Sequence, residues 1–201
     1  MNMIDSHSLQ QRRFYSLDSG CNGVVFVQMR KKDCEPSTKD IVEHMLISAA
    51  STRRHISRFI LRVLPVEVTC YASEEEITKA MKPLVERYFP IDAQTAYKVT
   101  DFLGRSILFS QSNPLLTSIL HLPTPSKFAV LYEARANSGI DRMKMINAVA
   151  KSIPGPHKVD LSNPDKTIIV QIVKTICLLG VVKKYKELAK YNLRQLTSSN
   201  P

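Results

Sequence analysis

The chain has no tryptophan, only six glycines and four cysteines, and no apolar run long enough to cross a bilayer. Each scarcity excludes something. With so few glycines there is no GxGxxG turn and no P-loop, the common backbone cradles for nucleotide phosphates. Gly20 and Gly23 make a lone GxxG, but it precedes a strand-like segment instead of joining two helices, so it reads as a plain turn. Cys21, Cys34, Cys70 and Cys177 form no CxxC pair and no framework-like spacing, which fits a reducing intracellular compartment. The five histidines (His7, His44, His55, His121, His157) have no cysteine or carboxylate at metal-ligand spacing. No serine or cysteine lies in a nucleophile motif. Neither a metal, a cofactor nor a small-molecule substrate is expected, and the chain is not expected to be an enzyme. The longest apolar stretch, Thr167 to Val182, is interrupted by Gln171 and Lys174 and reads as two buried strands, not a membrane span. The polar stretch Met1 to Gln11 lacks the apolar region of a secretion signal.

Positive charge is plentiful: 28 Lys and Arg against 18 Asp and Glu give a formal charge of +10. Such a surplus favours a polyanionic partner, because each cation placed on a phosphate releases a condensed counterion. Charge alone leaves nucleic acid, an anionic membrane surface and a solubility device all open. Its distribution is more telling. Arg53, Arg54, His55, Arg58 and Arg62 fall in the acid-free stretch Ser51 to Val66. Arg58 and Arg62 alternate there with Phe59, Leu61 and Val63, which predicts a strand with guanidinium forks on one face. A second cluster comprises Lys183, Lys184, Lys186, Lys190 and Arg194, offset by Glu187. Tyr185 and Tyr191 are interleaved with it and placed to stack on bases; the other reading of this stretch is a solvated terminal helix. Two clusters in one basic domain favour RNA or DNA.

Helix starts are marked by capping patterns. Ser37 with Asp40 precedes Ile41, Met45, Leu46 and Ala49 on one face. Ser73 with Glu76 precedes Ile77, Ala80, Met81, Leu84, Val85 and Tyr88, with Pro83 expected to kink or shorten that helix. Ser138 with Asp141 opens a third, carrying Ile140, Met143, Ile146 and Ala150, which Pro154-Gly155-Pro156 closes. Strands are expected at Gly23 to Met29, Phe59 to Leu64 with Val66 to Tyr71 beyond Pro65, Lys127 to Ala134, Thr167 to Val173 and Thr175 to Val182, with Gly180 as a bulge or bend. Alternation of this kind argues for an α/β layered domain. Tyr97 to Ser126, poor in charge and without a sustained period, reads as an insertion.

Longer strings carry a more specific signal. Phe59-Ile60-Leu61-Arg62-Val63-Leu64-Pro65-Val66 followed by Thr69-Cys70 resembles the centre of a eukaryotic THUMP domain. So do Lys158 to Pro164, the run from Thr167 to Lys174, and Cys177 to Val182, with the ending Lys190-Tyr191-Asn192-Leu193. Arg12-Arg13-Phe14 and Asp18 to Phe26 resemble the last part of the ferredoxin-like domain that precedes THUMP. The chain is thus similar, over 12–96 and 127–196, to the THUMP-domain adaptors of tRNA cytidine acetylation. The resemblance implies an α/β fold: a remnant of a ferredoxin-like domain at 1–34, then a THUMP domain at 37–196 with a mixed layered sheet and flanking helices, interrupted at 97–126. It further implies a non-catalytic, cofactor-free protein that binds serine and leucine tRNAs. Such a protein presents them to a separate RNA cytidine acetyltransferase for N4-acetylcytidine formation, in the nucleus or nucleolus or else the cytosol. RNA contacts are expected from Arg53, Arg54, Arg58 and Arg62, and in second rank from Lys158, Lys174, Lys183, Lys184 and Lys186. The competing reading is a general basic RNA-binding or protein-interaction module with no role in acetylation.

Overall fold

Residues 13–30, 35–90 and 125–198 are described by the computed structural model of the chain. All but the last two residues of the expected insertion at 97–126 lie outside them. In chain order the elements are β1 (Phe14–Asp18), β2 (Val25–Met29), α1 (Thr38–Thr52), β3 (Val68–Tyr71), α2 (Glu74–Tyr88) and β4 (Lys127–Arg135). There follow α3 (Arg142–Lys151), β5 (Lys158–Val159), β6 (Lys166–Val173), β7 (Ile176–Lys183), a 3-10 turn at Ala189–Tyr191, and α4 (Leu193–Thr197).

β1 and β2 pair antiparallel as a separate hairpin. Its turn confirms the plain reading of the two glycines: both sit at positive φ, where a side chain is strained. Asp18 Oδ1 accepts from the Gly20 N–H at 2.8 Å, and the Ser19 hydroxyl donates to the Val24 carbonyl at 2.6 Å.

The five-stranded sheet has the order β3-β7-β6-β4-β5. β6 pairs parallel with β4 and antiparallel with β7, so the two apolar runs joined at Lys174-Thr175 form a central hairpin. β6 is buried on both faces, which explains its run of β-branched residues, broken only by Gln171. Ile168, Val170 and Ile172, with Cys177, Leu179 and Val181, meet Ile77, Met81 and Leu84 of α2 and Met145 and Val149 of α3. On the other face Ile169 and Val182 meet Val42 and Leu46 of α1 and Leu193 and Leu196 of α4. Each such fully buried side chain contributes about 1.5–3 kcal/mol. The molecule is a three-layer α/β/α unit with two cores, the mixed layered sheet with flanking helices that the sequence implies.

The caps hold in detail. Ser37 and Asp40 form a reciprocal capping box on α1, and Ser73 Oγ accepts from the Glu76 amide on α2. Pro83 does not shorten α2: it sits on the exposed side, where water can satisfy the carbonyl it releases. α3 is capped by Asp141 alone, and its buried face is Met145, Ala148 and Val149; the expected Met143 is 58% exposed. Gly180 is no bulge. It stands opposite Ile169 in an unbroken register, and a Cβ there would lie 2.3 Å from the Pro65 carbonyl oxygen.

Candidate nucleic-acid interface

The segment from Arg53 to Val66 is not a strand. Apart from one bridge between Arg62 and Asn192 it has no strand pairing, because it crosses a face of the sheet instead of joining an edge. Val63 and Leu64 pack on the α1 side, and Pro65 presses on Gly180. Its backbone partners are in the C-terminal turn: Val63 N–H donates to Tyr191 O at 3.2 Å, and Leu193 N–H to Leu61 O at 2.9 Å. Side chains add to this seam. Arg53, left-handed at the C-cap of α1, directs its guanidinium at the Leu196 and Ser198 carbonyls (3.5 and 3.4 Å). His55 Nδ1 lies 3.0 Å from the Thr197 hydroxyl. Two basic clusters more than a hundred residues apart in sequence are thereby sewn together.

Within this surface the expected contact residues divide. Arg54 and Arg58 are exposed and so is Arg53, although the last also serves α4. Arg62 is half-buried and engaged: Nη1 donates to Glu133 Oε1 at 2.6 Å and Nη2 to the Tyr185 hydroxyl at 3.1 Å. Gln171 Nε2 donates to the other Glu133 oxygen at 3.2 Å. Arg62 therefore braces the crossing segment to β4, β6 and the C-terminal turn, and is not the outward-facing strand residue that the alternation predicts. Converting Glu133→Gln removes the countercharge while keeping the shape. Stability should fall by about 1–2 kcal/mol, between a screened surface pair and a fully buried one. A urea midpoint unchanged from wild type would show that the brace is dispensable.

The second cluster also departs from expectation. Residues 184–191 form neither a terminal helix nor a base-stacking surface. Lys184, Ala189, Lys190 and Tyr191 all have positive φ, a conformation that costs a bulky residue strain. What holds it is Tyr191, fully buried, its ring stacked on Tyr185 at 6.0 Å and its hydroxyl donating to Lys183 O at 3.2 Å. Burial pushes both phenols above their ordinary values. Neither ring can reach a base. Their burial instead turns Lys183, Lys184, Lys186, Lys190 and Arg194 outward, all exposed. Lys186 Nζ donates to Ser162 O. Lys158 lies exposed on the edge strand β5, and Lys174 in the β6–β7 turn beside Gly20. Those two are away from the seam just described.

Sequence reasoning missed an apolar component. Ile56, Phe59, Ile60 and Leu61 are exposed beside the arginines, Phe59 to 91%. A contiguous apolar run among cations is the composition of a contact surface more than of plain solvent-facing polypeptide. It also missed Glu133, whose role is visible only once β4 lies under the crossing segment. Elsewhere a cleft of about 250 Å³ is lined by Thr78, Lys82, Val85, Glu86 and Ser152, whose hydroxyl is tied to Ala148 O at 2.8 Å. Among the described residues no group of His, Cys, Asp and Glu is arranged to hold a metal, and no helix is long and apolar enough to cross a membrane.

Comparison with known families and proteins bears on this architecture. The THUMP domain family matches residues 116–182, a span that begins within 97–126 and runs through β4, α3, β5 and β6 to Val182 in β7. THUMP domain-containing protein 1 of Bos taurus is 32% identical over 197 residues, covering 96% of this chain and 45% of that protein. The tRNA acetyltransferase TAN1 of Saccharomyces cerevisiae is 26% identical over 193 residues, covering 91% of this chain and 56% of that protein. A solution structure of the THUMP domain of THUMP domain-containing protein 1 aligns with 34% of this chain and 74% of its own at 35% identity, with a TM-score of 0.29. The chain spans about half the length of the curated relatives it matches. The stretch that is similar to the THUMP domain family holds β4 and β6 and nearly all of β7, the strands that form the floor beneath the basic seam.

Proposed function

We propose that this chain is a tRNA-binding adaptor that presents tRNA to a separate RNA cytidine acetyltransferase and does no chemistry itself. The observation that carries the reading is the seam. Arg53, Arg54 and Arg58 on one side and Lys184, Lys186, Lys190 and Arg194 on the other belong to one fixed surface. A surface of exposed cations on rigid supports suits phosphate contacts and shape recognition, which need no active site. Similarity to a protein named as a tRNA acetyltransferase and to THUMP domain-containing protein 1 supports tRNA modification as the setting. Serine and leucine tRNAs, N4-acetylcytidine as the product and a nuclear or nucleolar location belong to the same proposal. So does an arrangement of a ferredoxin-like remnant at 1–34 before a THUMP domain at 37–196 with an insertion at 97–126.

A reconstituted reaction tests it. The purified chain with tRNA and acetyl-coenzyme A should form no acetylcytidine alone, and acetylation should rise when it is added to the acetyltransferase. Acetyl transfer by the chain unaided would overturn the adaptor reading. Binding to tRNA should weaken steeply with salt, as counterion release requires. A flat salt dependence would favour a protein-docking module, for which the exposed Ile56 to Leu61 run would be the contact.

A further inference from the structure

One cluster of cations is not explained by the seam. Lys166 and Lys183 stand directly opposite each other at the end of the β6–β7 ladder. Cβ atoms so placed are about 4.5–5.5 Å apart, and like charges there repel. Both residues lie on the α2 side of the sheet, in alternation with Ile168 and Val181. There the last turn of α2 meets the first turn of α1. Lys39 of α1 sets its ammonium 4.2 Å above the Tyr88 ring. Lys166 donates to the Tyr88 carbonyl and, at 2.9 Å, to Ser126 Oγ, with its ammonium 5.0 Å from the Phe89 ring centre. Two ammonium groups thus share Tyr88, and a third faces one of them across the ladder.

Of the carboxylates nearby, Asp40, Glu67 and Asp165 are engaged elsewhere, Asp40 by its Ser37 cap, while Glu43, one turn on from Lys39 in α1, keeps a buried Oε1 without a hydrogen-bond partner. Glu67 accepts from the Tyr88 hydroxyl (2.6 Å), Arg87 (3.3 Å) and the Val181 amide (3.0 Å). Asp165 accepts from the Lys127 amide at 2.8 Å. Among the described residues none of the three lysines has a carboxylate at ion-pair distance. Burial and then mutual repulsion with Lys183 lower the pKa of Lys166, and burial leads the same shift at Lys39, where Lys183 again repels and Glu67 and Glu43 oppose. Three cations gathered with no ion-paired carboxylate among the described residues, on partly apolar supports, are costly in the free protein and are relieved by an anion.

We infer that Lys39, Lys166 and Lys183 form a phosphate-binding notch at this end of the sheet, which takes a backbone phosphate of bound RNA. The notch rests on the tRNA-binding reading and extends the contact surface from Lys183 around the sheet end toward α1. It adds Lys39 and Lys166 as contact residues, while Lys183 gains a specific geometry.

The test uses the full chain, with tRNA affinity measured at several salt concentrations for wild type, Lys183→Glu and Lys39→Gln, and with melting of each free protein. Lys183→Glu turns a repulsive cross-strand pair into an attractive one. The free protein should therefore melt at the same temperature or higher, while tRNA affinity falls about tenfold and the log–log salt slope flattens by about 1. Lys39→Gln should weaken binding about threefold with a similar change of slope. If wild type binds tRNA and both variants match it in affinity and slope, the notch is wrong and the seam reading survives. Loss of binding that merely tracks loss of fold also overturns the notch. If wild type itself does not bind tRNA, the wider reading falls and the notch with it. A parallel arm titrates inorganic phosphate at matched ionic strength. Stabilisation of wild type but not of Lys183→Glu, with tRNA affinity unchanged in the variant, would mark a small-anion site and overturn the RNA assignment.

Discussion

Gly180→Ala is expected to cost about 3 kcal/mol and to lower the melting temperature by about 6–12 °C, a large effect for one methyl group. The added Cβ would lie 2.3 Å from the Pro65 carbonyl oxygen, closer than real contacts allow. The obstacle is backbone, so no side chain can swing aside. Pro65 is buried and held from both directions, by the Val63 amide on Tyr191 O and by the Glu67 amide on Leu179 O at 2.9 Å. To admit the methyl, the crossing segment must lift from the sheet. Val63 and Leu64 would then lose packing on the second core, and the Arg62–Glu133 pair would open. Damage at one glycine therefore spreads to the seam, and tRNA affinity should fall with stability. Gly139→Ala is the control, because nothing lies within 4 Å of a Cβ there and the backbone is not left-handed; it should be neutral or slightly stabilising. Calorimetry of both variants decides the point, and a Gly180→Ala melt within about 1 °C of wild type would show that the segment is loosely seated.

Gly180 also shows where local reading stops. A lone glycine in a strand pattern signals either a bulge or a close backbone approach. Only the position of Pro65, 115 residues earlier, separates the two. The features that are legible are those whose physics is short-range. The Ser37–Asp40 box, the Asp18–Gly20 turn and the two apolar runs around Lys174 all depend on neighbours within a few residues. At 59–64 the alternation of Arg with apolar residues is real, yet a strand also needs a partner edge, and this segment finds a sheet face and the C-terminal turn. Arg62 is drawn inward by Glu133, 71 residues away. Tyr185 and Tyr191 look available for stacking because lysines surround them, but four left-handed residues turn their rings into the core and leave the lysines outside. The facing of Lys166 and Lys183 is a simpler matter. They are equidistant from the Lys174-Thr175 turn, so a hairpin already places them opposite each other. Lys39 has no such signal, since only the meeting of α1 and α2 brings it there.

Replacing Arg54 and Arg58 together with Glu should weaken tRNA binding by more than about tenfold, roughly 1.4 kcal/mol or more. The pair is selected by structure from the four arginines of the first cluster. Arg53 reaches the carbonyls at the end of α4, and Arg62 holds Glu133, so reversing either would confound binding with folding. Arg54 and Arg58 are exposed, and surface changes away from such interactions alter stability by no more than about 0.5 kcal/mol. Removing one cation from a phosphate should flatten the log–log salt slope by about 0.7–0.9, so the double variant should flatten it by about 1.4–1.8 if both arginines sit on phosphates. Reversal also places two carboxylates beside the nucleic acid, which is why its effect should exceed that of the neutral Arg54→Gln, Arg58→Gln protein. Glu133→Gln is the informative companion. It leaves the Arg62 charge uncompensated while its hydrogen-bond acceptors keep their shape, so tRNA binding should hold or tighten even as the fold weakens. Affinity and slope equal to wild type in the Glu double variant, with melting unchanged, would remove the first cluster from the interface. Binding would then have to run through the lysines of the C-terminal turn and the notch at the sheet end.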